Sequence, residues 1–300
     1  YGVIELNRVT RARSTGRMTV RGIAWRDDLG GMGAGYASAL QGRLTSALGP
    51  ESDPKSRTIA ELLKSVGIAH RAVRIPNHTA DWTLLITSGE FGDKLPIGFR
   101  GCHSALSVDS LDSPSGDSWE TLVVAALPNP IAGRLLESSQ ATLRVFAPAM
   151  RNMLDRNFPI SRFARSIDVL CCNRNEWETL EDREEVAWRV SILAITDGPS
   201  GSTVRFTKPM GDAGFLQIPA FPRSRPPRDT NRAGEAYAST FIRTLLDSHW
   251  RPSSGVVEPE LIRQAALRAS ASAGLVLDRT DFGFPSADEI DAALRDGRIE

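Results

Sequence analysis

Apolar positions along the chain change period several times, and each change predicts an element. Val3–Leu6 and Met18–Trp25 are β-rich and partly alternating, which predicts two strands within 1–25. After the polar turn Arg26-Asp27-Asp28 and a glycine cluster at 30–35, Ala37, Leu40, Leu44 and Leu48 fall on one stripe. That spacing predicts a helix over 36–48. Ile59, Leu62, Leu63 and Val66 predict a second helix over 56–66. Strand patterns return at 71–75, 82–87 and 96–100. From residue 120 onward, short apolar runs (Leu122–Leu127, Thr142–Ala147, Val169–Cys172, Ile192–Thr196) are mostly separated by helical stretches. Runs of this kind are strands buried on both faces, so a mostly parallel sheet covered by helices is expected. The last 70 or so residues read as helices at 233–247, 258–277 and 286–295. The Ser/Asp/Pro-rich stretch Ser107–Ser118 and the Pro/Arg-rich stretch Pro222–Arg228 read as loops.

Composition narrows the function classes. The 300 residues carry 36 Lys plus Arg against 36 Asp plus Glu, a formal net charge of zero. A surface built for nucleic acid or membrane lipid shows a basic excess, so neither partner is expected. Cys102, Cys171 and Cys172 are an odd set with one adjacent pair, which is no disulfide framework. The histidines at 70, 78, 103 and 249 are scattered and form no zinc spacing. No apolar run approaches the ~18 residues of a membrane span, and no signal-peptide pattern opens the chain. A cytoplasmic protein is expected.

The most informative segment is Asp229-Thr230-Asn231-Arg232-Ala233-Gly234-Glu235-Ala236, after a loop and before an amphipathic helix. A helix starting here leaves backbone N–H groups free for an anion. Ala233 and Gly234 let a ligand approach the backbone, and Glu235 sits beside it as a general base toward a hydroxyl. The plainer alternative is an Asp/Thr/Asn cap with Glu235 favourable to the helix dipole. On these residues alone both readings stand.

The segment resembles the second signature of the PfkB, or ribokinase-like, carbohydrate kinases, Asp-Thr-x-Gly-Ala-Gly-Asp-Ala. Five of its seven specified positions match: Asp229, Thr230, Ala233, Gly234 and Ala236. Further pieces fall in the family's order. Asn173-Arg-Asn-Glu176 is similar to the Asn-x-x-Glu that helps place Mg²⁺ and phosphate. Thr196-Asp-Gly198-Pro-Ser-Gly201 is similar to Thr-x-Gly-x-x-Gly, a turn lining the nucleotide site. Gly30-Gly31 resembles the start of the first signature, and Phe284-Pro285-Ser-Ala-Asp-Glu-Ile the family's closing motif. Taken alone, Asn173 and Glu176 are equally a helix cap and a first-turn acid, and 196–201 a hairpin turn.

The resemblance implies a single ribokinase-like α/β/α domain over 1–300, with a β lid from 1–25 and 70–103. It implies ATP and Mg²⁺ as cofactors, a sugar or nucleoside as acceptor, and a homodimer through the lid. Glu235 then stands as catalytic base in an anion hole with Arg232, Ala233, Gly234 and Asp229. Asn173, Glu176, Thr196, Gly198 and Gly201 take the nucleotide, with Glu176 toward Mg²⁺ indirectly. Gly30, Gly31, Gly35 and Arg100, at the end of the last lid strand, face the acceptor, although Arg100 alone reads equally as a solvated strand charge.

Four departures matter. Arg232 replaces the first glycine of the anion hole, and Glu235 replaces the catalytic Asp. Gly35 replaces a substrate-binding Asn, and the N-terminal Gly-x-x-x-x-Asp has no clear counterpart in 1–10. An extra methylene at 235 moves the carboxylate by about 1 Å, so on reach alone Asp at this position should restore turnover. Arg232 either adds charge near the phosphates or blocks the cradle. The alternative function is therefore a weak or inactive member of the family that senses a sugar or nucleotide, or serves as a scaffold. A dinucleotide fingerprint at Gly33-Ala-Gly35 lacks the preceding strand and is set aside.

Overall fold

The computed structural model describes residues 2–11, 18–88, 94–110, 119–207, 212–252 and 256–297. The chain divides into two compact units, 1–34 with 43–110, and 35–42 with 111–300.

In the first unit, β1 (Gly2–Arg11) and β2 (Met18–Asp27) form an antiparallel pair. The helix α1 (Met32–Ala39) follows, then β3 (Leu44–Leu48), α2 (Pro54–Ser65), β4 (His70–Arg74), β5 (Trp82–Ser88) and β6 (Lys94–Phe99). One four-stranded sheet runs β2-β1-β5-β6, while β3 and β4 pair in parallel as a small sheet of their own. So β4, read from sequence with the lid strands, does not join their sheet.

The helix expected over 36–48 is corrected to a helix and a strand. α1 ends at Ala39, Gln41 turns left-handed (φ 55°), and Gly42 follows. From Leu44, whose N–H donates to the Ala69 carbonyl at 2.8 Å, the chain runs as β3. Leu44 and Leu48 sit four apart, which fits a helical stripe as well as one face of a strand. Pairing with β4 decided between them.

Asp53 starts α2 and ties it to the following chain. Its Oδ2 accepts from the Ser56 N–H (2.8 Å), the Ser56 hydroxyl (2.6 Å) and the Ala80 N–H (3.1 Å), and its Oδ1 from the Thr79 hydroxyl (2.8 Å). Burial works to raise this carboxyl, but the hydrogen bonds together outweigh it and hold the pKa at about 2. Asp53 therefore both caps α2 and ties it to residues 79–80.

The second unit carries β7 (Thr121–Ala125), α3 (Asn129–Ser138), β8 (Leu143–Ala147), α4 (Met150–Met153), β9 (Val169–Asn173), α5 (Arg174–Thr179) and α6 (Arg183–Arg189). Then come β10 (Ile192–Thr196), β11 (Ser202–Thr207), β12 (Ala213–Ile218), α7 (Ala233–Asp247), α8 (Pro259–Val276) and α9 (Ala287–Gly297). The six-stranded sheet runs β12-β11-β10-β9-β8-β7; β7 to β10 are parallel, and β11 and β12 fold back antiparallel.

Helices cover both faces of this sheet, the three-layer α/β/α arrangement expected from sequence. Val124, Phe146, Leu170 and Leu193 pack with Ala132 and Leu136 of α3 and Val186 of α6, all nearly or fully buried. Successive strand residues face opposite ways, so Val169 and Cys171 point to the other layer, where α7 packs on β9. α7 buries Phe241, Ile242 and Leu245, and α8, its main neighbour, buries Ile262, Ala265, Ala266 and Ala269. Alanine along α8 lets the two helices approach closely. Every parallel strand ends at the same edge of the sheet, where ligands of open α/β folds bind.

Candidate active site

Within the second unit, the ends of β9 and β10 lie side by side, with Asn173 in register with Thr196. Asn173 caps α5: its side chain accepts the Glu176 N–H at 2.9 Å, and the Glu176 carboxylate accepts the Asn173 N–H at 3.0 Å. This is a reciprocal capping box, so the two residues hold each other whatever else they do. Burial raises the Glu176 pKa, the Asn173 bonds oppose the rise, and the nearby Glu235 carboxylate adds to it. Asp168, at the head of the same strand, instead grips Arg144 through both carboxylate oxygens, at 2.9 and 3.1 Å, away from this edge.

The 196–201 segment is the tight connection between antiparallel β10 and β11, with a single 3₁₀ turn at Gly198–Ser200. Gly198 has φ +49° and Gly201 φ +89°. At Gly201 a Cβ would lie 2.0 Å from the Ile218 carbonyl oxygen and 2.8 Å from the Ala220 nitrogen. Only glycine lets β11 leave this turn so close to the end of β12. The next residue, Ser202, bonds the buried Tyr237 hydroxyl at 2.8 Å, which ties the turn to α7.

α7 begins at Ala233, and Arg232 is its N-cap in the left-handed region, φ 68° and ψ 0°. A non-glycine residue there costs on the order of 1–2 kcal/mol, which explains why the signature has glycine at this place. The Arg232 side chain, 10% exposed, offsets the cost with contacts of its own. Its guanidinium donates to the carbonyls of Asp281 and Arg279 (3.5 Å to the latter), sits 3.6 Å from the Asp229 carboxylate, and lies over the Phe282 ring at 5.8 Å. The guanidinium is thus engaged as a clip between the α7 start and the 279–282 loop. Asp229 also accepts the Asn231 N–H at 2.8 Å, which shapes the turn.

The N–H groups of Ala233 and Gly234 have no acceptor within the helix. A Cβ on Gly234 would meet nothing within 4 Å, so the surface above this turn is open. Such a bare helix start fits an anionic group such as a phosphate. Glu235 follows in the same turn. Burial raises its carboxyl pKa, and its own N–H and the Arg232 guanidinium partly oppose the rise. Among the described residues no group of three or more His, Cys, Asp and Glu is arranged to hold a metal ion. A cation at this edge would come with a phosphate ligand and meet Glu176 and Glu235 as an acidic rim.

Two features of the site were not legible as functional. Tyr36 of α1, 5% exposed, lies near Cys171, Cys172, Glu176 and Glu235. Its hydroxyl pKa is pushed well above the ordinary value, first by burial and then by those neighbours. The buried thiols beside it stay protonated, Cys171 being pushed up to about 12 by burial. Tyr36 and Cys171 thus add no charge beside the two carboxylates. The second feature is Gly35: a Cβ there would lie 2.9 Å from the Glu235 Cγ.

The residues expected to face the acceptor are not brought together within one unit. Gly30 and Gly31 precede α1 in the first unit, with Gly31 at φ +92°. Arg100 follows β6; its side chain is 63% exposed and 3.8 Å from Asp81. The closing motif forms a cap on α9, where Ser286 and Glu289 exchange hydrogen bonds at 2.7 and 3.2 Å.

Residues 3–289 match the family described as pfkB family carbohydrate kinase. The chain belongs to the PfkB family. Solved structures of the same fold include a nucleoside kinase from Methanocaldococcus jannaschii, an archaeal member of the ribokinase family. The match has a TM-score of 0.76 and 16% identity over 98% of this chain and 94% of that one. A ribokinase from Giardia lamblia matches at TM-score 0.74 and 17% identity over 98% and 96%. The nucleoside kinase of Burkholderia thailandensis, solved with inosine, matches at 0.71 and 18% over 99% and 95%. No curated protein matches the sequence. The fold of this PfkB member is therefore ribokinase-like, with the β-rich first unit and the α/β/α second unit described above.

Proposed function

We propose that this PfkB member is an ATP-dependent kinase that phosphorylates a hydroxyl of a sugar or nucleoside, with Glu235 as the general base. The observation that carries the reading is the first turn of α7. There a half-buried carboxyl with a raised pKa adjoins N–H groups that have no partner within the helix, beside open space at Gly234. A raised pKa brings the base nearer neutral pH, where its proton affinity and its charged fraction are both useful. ATP with Mg²⁺ supplies the phosphoryl group and neutralises its charge. The chain's own part is positioning and electrostatics. Ala233 and Gly234 receive the anion; Glu235 accepts the acceptor's proton at its carboxylate. Asn173 and Glu176 border the same edge, and Gly198 and Gly201 shape the turn beside it. Inactive scaffolding is the weaker reading, because the altered base is still a carboxylate, half-buried and close to a second one.

The first unit suits the role of lid. Its edge strand β6 leaves Ile97 39% and Phe99 42% exposed, and pairing two such edges would give the homodimer implied by the family. The test of the reading is ATP-dependent phosphorylation across a panel of sugars and nucleosides.

Arg232 gives a pH test of the same site. Turnover falls at acid pH as Glu235 takes a proton, and burial sets that limb above the ordinary carboxylate range. Because the Arg232 charge opposes the rise, Arg232→Gln should move the limb to higher pH. A kcat/KM profile with an unmoved acid limb would show that the guanidinium does not act on the base.

A further inference from the structure

The departures at positions 35 and 235 are 200 positions apart in the chain, yet the two residues touch. A Cβ on Gly35 would lie 2.9 Å from Cγ, 3.2 Å from Cβ and 3.6 Å from Cδ of Glu235. Real Cβ atoms essentially never come closer than 3.0 Å to another heavy atom, so any other residue at 35 must displace the Glu235 stem. Neither backbone is free to yield. On one side, α7 is fixed by the bond from Tyr237 to Ser202 and by the fully buried Phe241, Ile242 and Leu245. On the other, the buried Tyr36 holds α1, and Arg243 of α7 donates to the carbonyl of Leu40 at 2.8 Å.

We propose that Gly35 and Glu235 are one coupled change, with Gly35 a positioning residue for the carboxylate. Two consequences follow from the contact. The stem of Glu235 fits against this helix only because position 35 carries no Cβ. The space that a side chain at 35 would take is filled by the stem of Glu235. Shortening the acid withdraws the carboxylate, while its Cβ and Cγ still lie against position 35. This reverses the expectation from reach alone, in which Asp at 235 restores turnover. The inference rests on reading Glu235 as the base, but the contact itself does not depend on catalysis.

The sign of one substitution separates the contact from helix propensity. Gly35 lies inside α1, where alanine is favoured over glycine by about 1 kcal/mol. On propensity alone, Gly35→Ala raises Tm. With the contact, it lowers Tm while Glu235 is present and raises it, or leaves it unchanged, beside Glu235→Ala. If Gly35→Ala fails to fold, the double variant should fold. A Tm change of the same sign and size in both backgrounds, or a double variant that fails to fold as the single does, overturns the coupling. The functional arm measures kcat for Gly35→Ala, Glu235→Asp and the pair. Each single change should cost roughly tenfold or more, the scale of a misplaced reacting group. The pair should cost at least about tenfold less than the product of the singles, because both changes misplace one and the same carboxylate. Singles that simply multiply in kcat refute Gly35 as a positioning residue. A wild-type protein without phosphoryl transfer defeats the kinase reading, and the Tm cycle then decides the coupling by itself.

Discussion

Glu235→Gln should lower turnover by about 10²-fold or more while leaving the fold intact. Glutamine keeps the length and shape of the side chain, so its packing against Gly35 persists. It removes the one property that matters, the ability to take a proton. It also removes a charge close to Glu176, whose raised pKa should then relax downward as the repulsion between the two carboxylates disappears. ATP binding, carried by groups on the open side of the α7 start and the adjoining turn, should not weaken. A kcat loss with an unchanged KM for ATP is the expected signature of an interaction made in the transition state. Equal losses in binding and turnover would place Glu235 among the structural residues.

Gly201→Ala is the second large effect, and it is steric. The new methyl would meet the Ile218 carbonyl at 2.0 Å and the Ala220 nitrogen at 2.8 Å, both backbone atoms with little room to retreat. The conformation, φ 89° and ψ −133°, is itself one that side chains avoid. The expected cost is about 3 kcal/mol or more, a Tm loss on the order of 5 °C, with nucleotide affinity falling as the turn shifts. Gly198→Ala is the internal control. Its φ is +49°, in the left-handed region side chains do reach, and a methyl there meets nothing within 4 Å. It should cost only about 1 kcal/mol. Equal Tm losses in the two variants would mean that the close approach to Ile218 is not what requires glycine at 201.

Much of this molecule was legible in one sequence because its signals are local. The apolar runs at 122–127, 142–147, 169–172 and 192–196 became β7 to β10, because strands buried on both faces must be continuously apolar. The helices at 233–247 and 258–277 kept their period because each buries one broad stripe. The stretch at 36–48 misled because a leucine every fourth residue suits helix and strand alike. The break at Gln41 and Gly42 and the pairing of β3 with β4 are tertiary facts.

The site divides in the same way. Motifs whose work is done by backbone shape, such as the Asn173–Glu176 capping box and the Gly198–Gly201 turn, can be spotted by residue type and spacing. Contacts between distant side chains cannot. Arg232 looked like a charge aimed at phosphates or a plug in their cradle. Its guanidinium lies against the carbonyls of 279 and 281, residues nearly 50 positions on. Gly35 looked like a lost substrate ligand, and it is the floor under the Glu235 stem. Tyr36 and Cys171 look like core residues in any pattern, and only their nearness to two carboxylates distinguishes them.

The most direct measurement is phosphoryl transfer from ATP, with Mg²⁺, to a panel of sugars and nucleosides, scored by product formation. The account predicts that at least one acceptor is phosphorylated by the wild-type chain and that Glu235→Gln slows the reaction by about 10²-fold or more. No product from the wild-type chain with any acceptor would contradict it and leave a binding protein on a kinase fold.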